Sequence, residues 1–166
     1  MLIKEAKKIT ESLTRTSKMP GLSYSLPAWA CQTGAKLRKI PTSPCFGCYA
    51  MKNNYIRYPA IKAAQYRRLD AITHPQWVEA MVAQIKRQKW FRWHDAGDLQ
   101  SSEHMQKIIE VCKLTPDTKH WLPTQERQYL PKPEDVPENL IIRLSAAKVD
   151  GTAGNAWSHS STVVTD

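Results

Sequence analysis

At 166 residues the chain has the length of one ordinary domain, enough to bury a core without disulfide staples. Its 42% hydrophobic content includes no run of about 20 apolar residues, which excludes a transmembrane helix. Lys and Arg number 24 against 15 Asp and Glu, and this net +9 favours an anionic partner, nucleic acid or a nucleotide before others.

The opening "MLIKEAKKITESL" lacks the apolar stretch of a secretory leader, so a cytoplasmic location is expected. There, four cysteines read as metal ligands or redox groups rather than as two disulfides. Residues 1–18 carry Leu2, Ile3, Ala6, Ile9 and Leu13 at spacings that suit a short amphipathic helix or a flexible arm. From Met19 to Asn54, four prolines and three glycines break up regular structure beyond a strand at "LSYSL". A loop this long needs something to organise it, as a bound metal would.

Pro59 opens a helix running to Thr73, and Trp77, Met81, Val82 and Ile85 mark a second over residues 76–88. "WFRW" is a short strand, Trp90 to Trp93, that runs into a polar turn at His94 to Asp98. Ser101 or Ser102 caps the next helix, whose buried face is Met105, Ile108, Ile109 and Cys112, with His104 turned to solvent beside Glu103. "KHWLPTQ" and "NLIIRLSA" are further strands, separated by a proline-rich segment at 131–137, and "STVVT" is a last one. Strands joined through helices predict an α/β fold in one domain, residues 1–166. It would be a short parallel sheet or a partial (β/α) barrel with a long cysteine-containing loop near the N-terminus.

Three constellations carry chemistry. Cys45 and Cys48 form a Cys-x2-Cys pair, and Cys31 closes on them across thirteen residues, so three soft ligands share one segment. A histidine would complete a zinc site, His94 being the best placed. Alternatively, three cysteines would hold a four-iron cluster with one iron open. Cys112, on an apolar helix face, reads as a core thiol. The second constellation is "WHDAGDL", where a strand end in an α/β fold puts His94, Asp95 and Asp98 at the crevice in which ligands bind. The ends of the following strands add Thr124, Gln125, Glu126 and Arg127, then Arg143 and Ser145, as a shared pocket. We therefore take His94, Asp95, Asp98 and Gln125 as the catalytic candidates, with Arg143 and Ser145 toward a cofactor. The third is "KNNYIRYPAIKAAQYRR", where Arg57, Arg67 and Arg68 among tyrosines suit phosphates and stacked bases.

"KMPGLSYSLPAWACQTGAKLRKIPTSPCFGCYAMKNNY", "FRWHDAGDLQS" and "PTQE" together resemble the phage gene-product-eighty-eight domain family over residues 19–148. The resemblance implies a phage-encoded, cluster- or metal-binding protein of the host cytoplasm. The resemblance implies that members continue into a further cysteine-rich segment, so the chain reads either as a short member or as one whose end, residues 151–166, is truncated. More loosely, the layout is similar to that of radical S-adenosylmethionine enzymes. That likeness implies Cys31, Cys45 and Cys48 as ligands of a 4Fe-4S cluster, Tyr49 at its border, and Asp95, Gly97 and Asp98 near S-adenosylmethionine. A non-catalytic zinc-containing nucleic-acid-binding module and a host-protein-binding chain that uses residues 131–137 stand as alternatives. Oligomeric state has no signature in the sequence.

Overall fold

Aromatic and branched residues alternate along the three central segments read as strands, and the computed structural model, which describes residues 1–165, makes strands of them. The sheet consists of β1 (Thr14–Arg15), β2 (Leu22–Tyr24), β3 (Trp90–Trp93), β4 (Lys119–Thr124), β5 (Leu140–Ser145) and β6 (Ser160–Ser161), paired in that order. β1 and β2 run antiparallel; every later pair is parallel. The α/β expectation therefore holds. Because each parallel strand is laid beside its predecessor, the connections return over the same side of the sheet.

The helices are α1 (Ile3–Thr10), α2 (Gln32–Leu37), α3 (Asn54–Arg57), α4 (Pro59–Ala71), α5 (Trp77–Ile85) and α6 (Ser102–Leu114). Pro59 stands at the first turn of α4, and the Ser101 hydroxyl caps α6 by accepting from the His104 amide at 3.0 Å. Phe91, Trp93, Leu122 and Ile142 from the sheet meet Trp77, Met81 and Ile85 of α5 and Met105 and Ile108 of α6 in the core. Each such side chain contributes about 1.5–3 kcal/mol by leaving water. On the same strands Arg92, Trp121, Ile141 and Arg143 alternate with these residues and stay half-buried or exposed. One sheet face is thus packed and the other is open. At the N-terminus, Ala6 of α1 sits on Ala80 and Ala83 of α5, and the Tyr24 hydroxyl donates to the Thr10 carbonyl.

Three expectations need correction. His104 is fully buried, because the buried stripe of α6 is wide enough to include it; its Nδ1 accepts from the Gln100 amide and its ring stands edge-on to Trp77. The cysteine segment is not a plain loop, since α2 and short 3-10 turns at Ala28–Ala30 and Tyr49–Met51 interrupt it. "STVVT" forms no strand of its own: β6 stops at Ser161, and Val163 and Val164 are exposed. Among the described residues no helix is long and apolar enough to cross a membrane.

Candidate functional site

Cys31 lies immediately before α2, and Cys45 and Cys48 lie in the turns that lead to the 3-10 turn at Tyr49. The three thiols are half-buried and free of disulfides. Gly34, one turn into α2, explains how Cys31 and Cys45 share space: a Cβ there would stand 3.0 Å from the Cys31 Cβ, 3.8 Å from its Sγ and 3.9 Å from the Cys45 Sγ. Glycine keeps that volume clear. Burial pushes the Cys31 thiol up to about 12, and the nearby Asp98, Cys48, Cys45 and Glu126 add to the rise. Cys45 is raised by burial and then by Cys48. Among the described residues, no three His, Cys, Asp or Glu side chains stand close enough together to cage a single metal ion.

Glu126 holds Cys31 in place. This fully buried carboxylate, just beyond β4, accepts from the Gln32 amide at 3.1 Å, the Thr33 amide at 2.8 Å and the Thr33 hydroxyl at 2.6 Å. It thereby satisfies the first-turn N–H groups of α2 with a negative charge, as a helix N-terminus requires. In the turn that follows β3, Asp98 accepts from the Thr124 hydroxyl at 2.5 Å and from the Gln125 and Leu99 amides, each at 2.8 Å. Burial pushes its carboxyl up to about 6 against these bonds. Asp98 thus ties the turn after β3 to the end of β4. Gly97 serves the same junction: its φ is +81°, and a Cβ would come within 2.5 Å of the Leu26 Cβ. Its missing side chain is demanded by Leu26 rather than by a bound molecule.

Beside the thiols opens a cleft of about 1040 Å³, lined by Arg15, Lys18, Tyr49, Tyr55, Arg68, Arg92 and Asp95 among others. Asp95 is buried, and its carboxylate accepts from the Ser23 hydroxyl at 2.6 Å and the Tyr55 hydroxyl at 3.0 Å. Tyr49, next to Cys48, donates to the Asp95 backbone carbonyl and meets Tyr55 edge to face at 6.0 Å. Tyr49 therefore joins thiols and cleft. Apart from Asp95, the charged residues of the cleft wall named here are basic.

Other candidates are placed differently. His94 is buried with φ +58°, its ring lies 5.3 Å from the His104 ring and 6.2 Å from the Trp93 ring, and neither ring nitrogen has a partner. Burial drives its pKa well below normal. This packing in the aromatic core, not at the thiols, corrects its reading as the fourth zinc ligand. Gln125 donates to the Ala146 carbonyl at 3.1 Å, Arg143 to the Ser160 carbonyl at 3.1 Å, and Ser145 pairs with Ser161. None of the three lines the cleft, so they brace the sheet's end strands. Arg67 pairs with Glu11 at 2.6 Å, and Arg68 is buried, donating to the Ser12 and Ser25 carbonyls. That use of Arg68 corrects its reading as a phosphate contact. Arg57 is exposed on α3, outside the cleft. Cys112 is buried in the core, as its helix face implied.

Sequence reasoning assigned no role to Ser23 or Arg92, set Glu126 only in a shared strand-end pocket and counted Tyr55 only among base-stacking tyrosines. A signal for Arg92 was present, since the alternation in "WFRW" sets it opposite Phe91 and Trp93. For the bonds of Glu126 to the start of α2 none was, because those partners lie 93 and 94 residues away in the chain.

Fold and site together define a mixed α/β protein with three neighbouring free cysteines near a basic, tyrosine-walled cleft. The chain matches the family Gene product 88 over residues 1–165, and it belongs to that phage family. No curated protein and no solved structure matches it.

Proposed function

We propose that this phage protein holds an iron–sulfur cluster on Cys31, Cys45 and Cys48 and, with S-adenosylmethionine, acts on a nucleic acid or nucleotide in the adjoining cleft, in the host cytoplasm. The observation that carries the reading is the meeting of the half-buried Cys31 and Cys45 thiols at the space Gly34 leaves open, with the half-buried Cys48 near enough to act on both electrostatically. Cys45 and Cys48 help to raise the pKa of Cys31, and Cys48 that of Cys45, a mutual crowding of negative charge that favours a cationic occupant. With His94 packed in the aromatic core, three cysteines suit a cluster with one open iron better than a four-ligand zinc site.

When bound, such a cluster supplies electrons and Lewis acidity. The chain's own residues then have distinct tasks. Glu126 and Gly34 set the position of Cys31, and Ser43 supports Cys45 by accepting from its amide at 3.1 Å. Asp95 fixes the Tyr55 hydroxyl, which leaves that ring as a wall of the cleft, while Arg15 and Lys18 attract an anionic ligand.

The test is iron, zinc and acid-labile sulfide analysis with an absorption spectrum on protein purified without oxygen, beside a Cys45→Ser, Cys48→Ser variant. Iron, sulfide and a broad visible band, all lost in the variant, support the cluster. Stoichiometric zinc without colour overturns it and leaves a zinc-ordered nucleic-acid-binding module.

A further inference from the structure

Arg92 of β3 is the group that the site description leaves unexplained. It forms no ion pair among the described residues, and its Nε is buried without a hydrogen-bond partner. With its Nε shut away from solvent, the donors Arg92 can offer a ligand are its Nη groups, and no carboxylate among the described residues takes them. The guanidinium lies over the Trp121 ring, 4.8 Å from its centroid, on the open face of the sheet. Stacking of this kind fixes the plane in which a guanidinium offers its donors.

The surroundings select the partner. Arg92 lines the large cleft together with Tyr49, Tyr55, Arg15 and Lys18. Arg68, also in the wall, is already engaged by backbone carbonyls, and both oxygens of Asp95 already accept hydroxyl donors. An incoming anion therefore meets Arg92 as a fork with no carboxylate partner among the described residues, with Tyr49, its hydroxyl near the guanidinium, 55% exposed beside it. On its other side Arg92 borders an apolar groove lined by Leu22, Trp90 and Trp121, so flat rings flank it along the sheet.

We propose that Arg92 anchors the phosphate of a nucleobase-bearing phosphate ester, with the rings of Tyr49 and Tyr55 receiving the base. This rests on the part of the functional reading that puts an anionic ligand in the cleft and is independent of the cluster. A free nucleotide and a single strand of nucleic acid share that chemistry.

The experiment measures fluorescence anisotropy of a short fluorescein-labelled single strand of mixed sequence, with ATP as competitor, for native protein and for Arg92→Gln, Arg92→Lys and Arg87→Gln. Arg87 is exposed and lies outside the cleft. Arg92→Gln is expected to weaken binding about tenfold or more, and to lower the salt dependence by about one phosphate contact. Arg92→Lys, which keeps the charge but loses the fork, is expected to weaken it by about threefold or more, and Arg87→Gln by less than about twofold. Competition by ATP assigns a free nucleotide, and its failure assigns a strand; either supports the anchor when the Arg92 dependence is present. Absence of binding, native affinity in a folded Arg92→Gln, or equal losses in Arg92→Gln and Arg87→Gln overturns it. Should Arg92→Gln fail to fold by circular dichroism, native affinity in Arg92→Lys overturns it instead. Repeating the titration in the Cys45→Ser, Cys48→Ser protein separates the two ideas: retained, Arg92-dependent binding upholds the anchor whatever the iron analysis gives.

Discussion

Removing the Glu126 carboxylate tests whether the end of β4 holds the first cysteine in place. Glu126 accepts four hydrogen bonds, from the Gln32 and Thr33 amides, the Thr33 hydroxyl and the Gln128 side chain. Hydrogen bonds to a charged acceptor are worth about 1.5–3 kcal/mol each. In Glu126→Ala the two side-chain donors can turn toward water, and Gln32 is exposed enough for water to reach its amide. The expected net loss is therefore about 3 kcal/mol, well below the sum, and for a chain of this length it lowers Tm by about 6–12 °C. Glu126→Gln keeps an acceptor oxygen and should lose about half as much. Two assays read the effect: urea unfolding gives the stability, and mass-spectrometric thiol labelling gives the access of reagent to Cys31. Faster labelling of Cys31 with little change at Cys112 is expected. A Glu126→Ala protein within about 0.5 kcal/mol of native stability and with native labelling rates would refute the reasoning.

Gly97→Ala combines a left-handed backbone with a Cβ 2.5 Å from the Leu26 Cβ, so a loss of about 3 kcal/mol or failure to fold is expected; a Tm within about 2 °C of native contradicts it. Acid should destabilise the fold through its histidines. Burial lowers His104 to about 3 and His120 to about 4, so both stay neutral when folded and take protons first in the unfolded chain. Their stabilisation is complete above pH 6.5 and falls as pH drops, by about 2 kcal/mol each at pH 5. Asp98, raised to about 6 by burial, works in the opposite sense and offsets about 1.4 kcal/mol at that pH. Urea midpoints at pH 7.5 and 5 should therefore differ less steeply in His104→Gln than in the native protein, and identical slopes contradict the assignment. Finally, Arg67→Ala should change stability by about 0–1 kcal/mol, because its pair with Glu11 is exposed, whereas Arg68→Ala should cost about 2–4 kcal/mol by orphaning buried carbonyls; equal effects on the urea midpoint contradict the distinction.

The contrast between Arg67 and Arg68 shows where sequence reading stops. As neighbours on α4 they look alike, both cations among tyrosines, yet one helical step of about 100° turns the first to solvent and the second onto the Ser12 and Ser25 carbonyls. His94 and His104 make the same point. In the chain one ends a strand and the other follows a capping serine, and their shared burial emerges only when α6 is laid on β3.

Local rules decided much else. Pro59, Ser101 and the alternation of "WFRW", "KHWLPT" and "LIIRLS" act within a few residues, through fixed φ, a capped amide and a two-residue side-chain period, so helices, strands and the mainly parallel sheet were legible from the sequence. The Cys-x2-Cys spacing likewise marked a thiol centre, and the stretches around it marked the family. What only the tertiary structure decided was the use of each polar group. Asp98 became a brace, Glu126 a support for Cys31 and Arg92 a cation with no carboxylate partner among the described residues, because a side chain's role depends on which donors and acceptors reach it. Those partners come from strands and helices up to 94 residues away, brought together by packing against a common core.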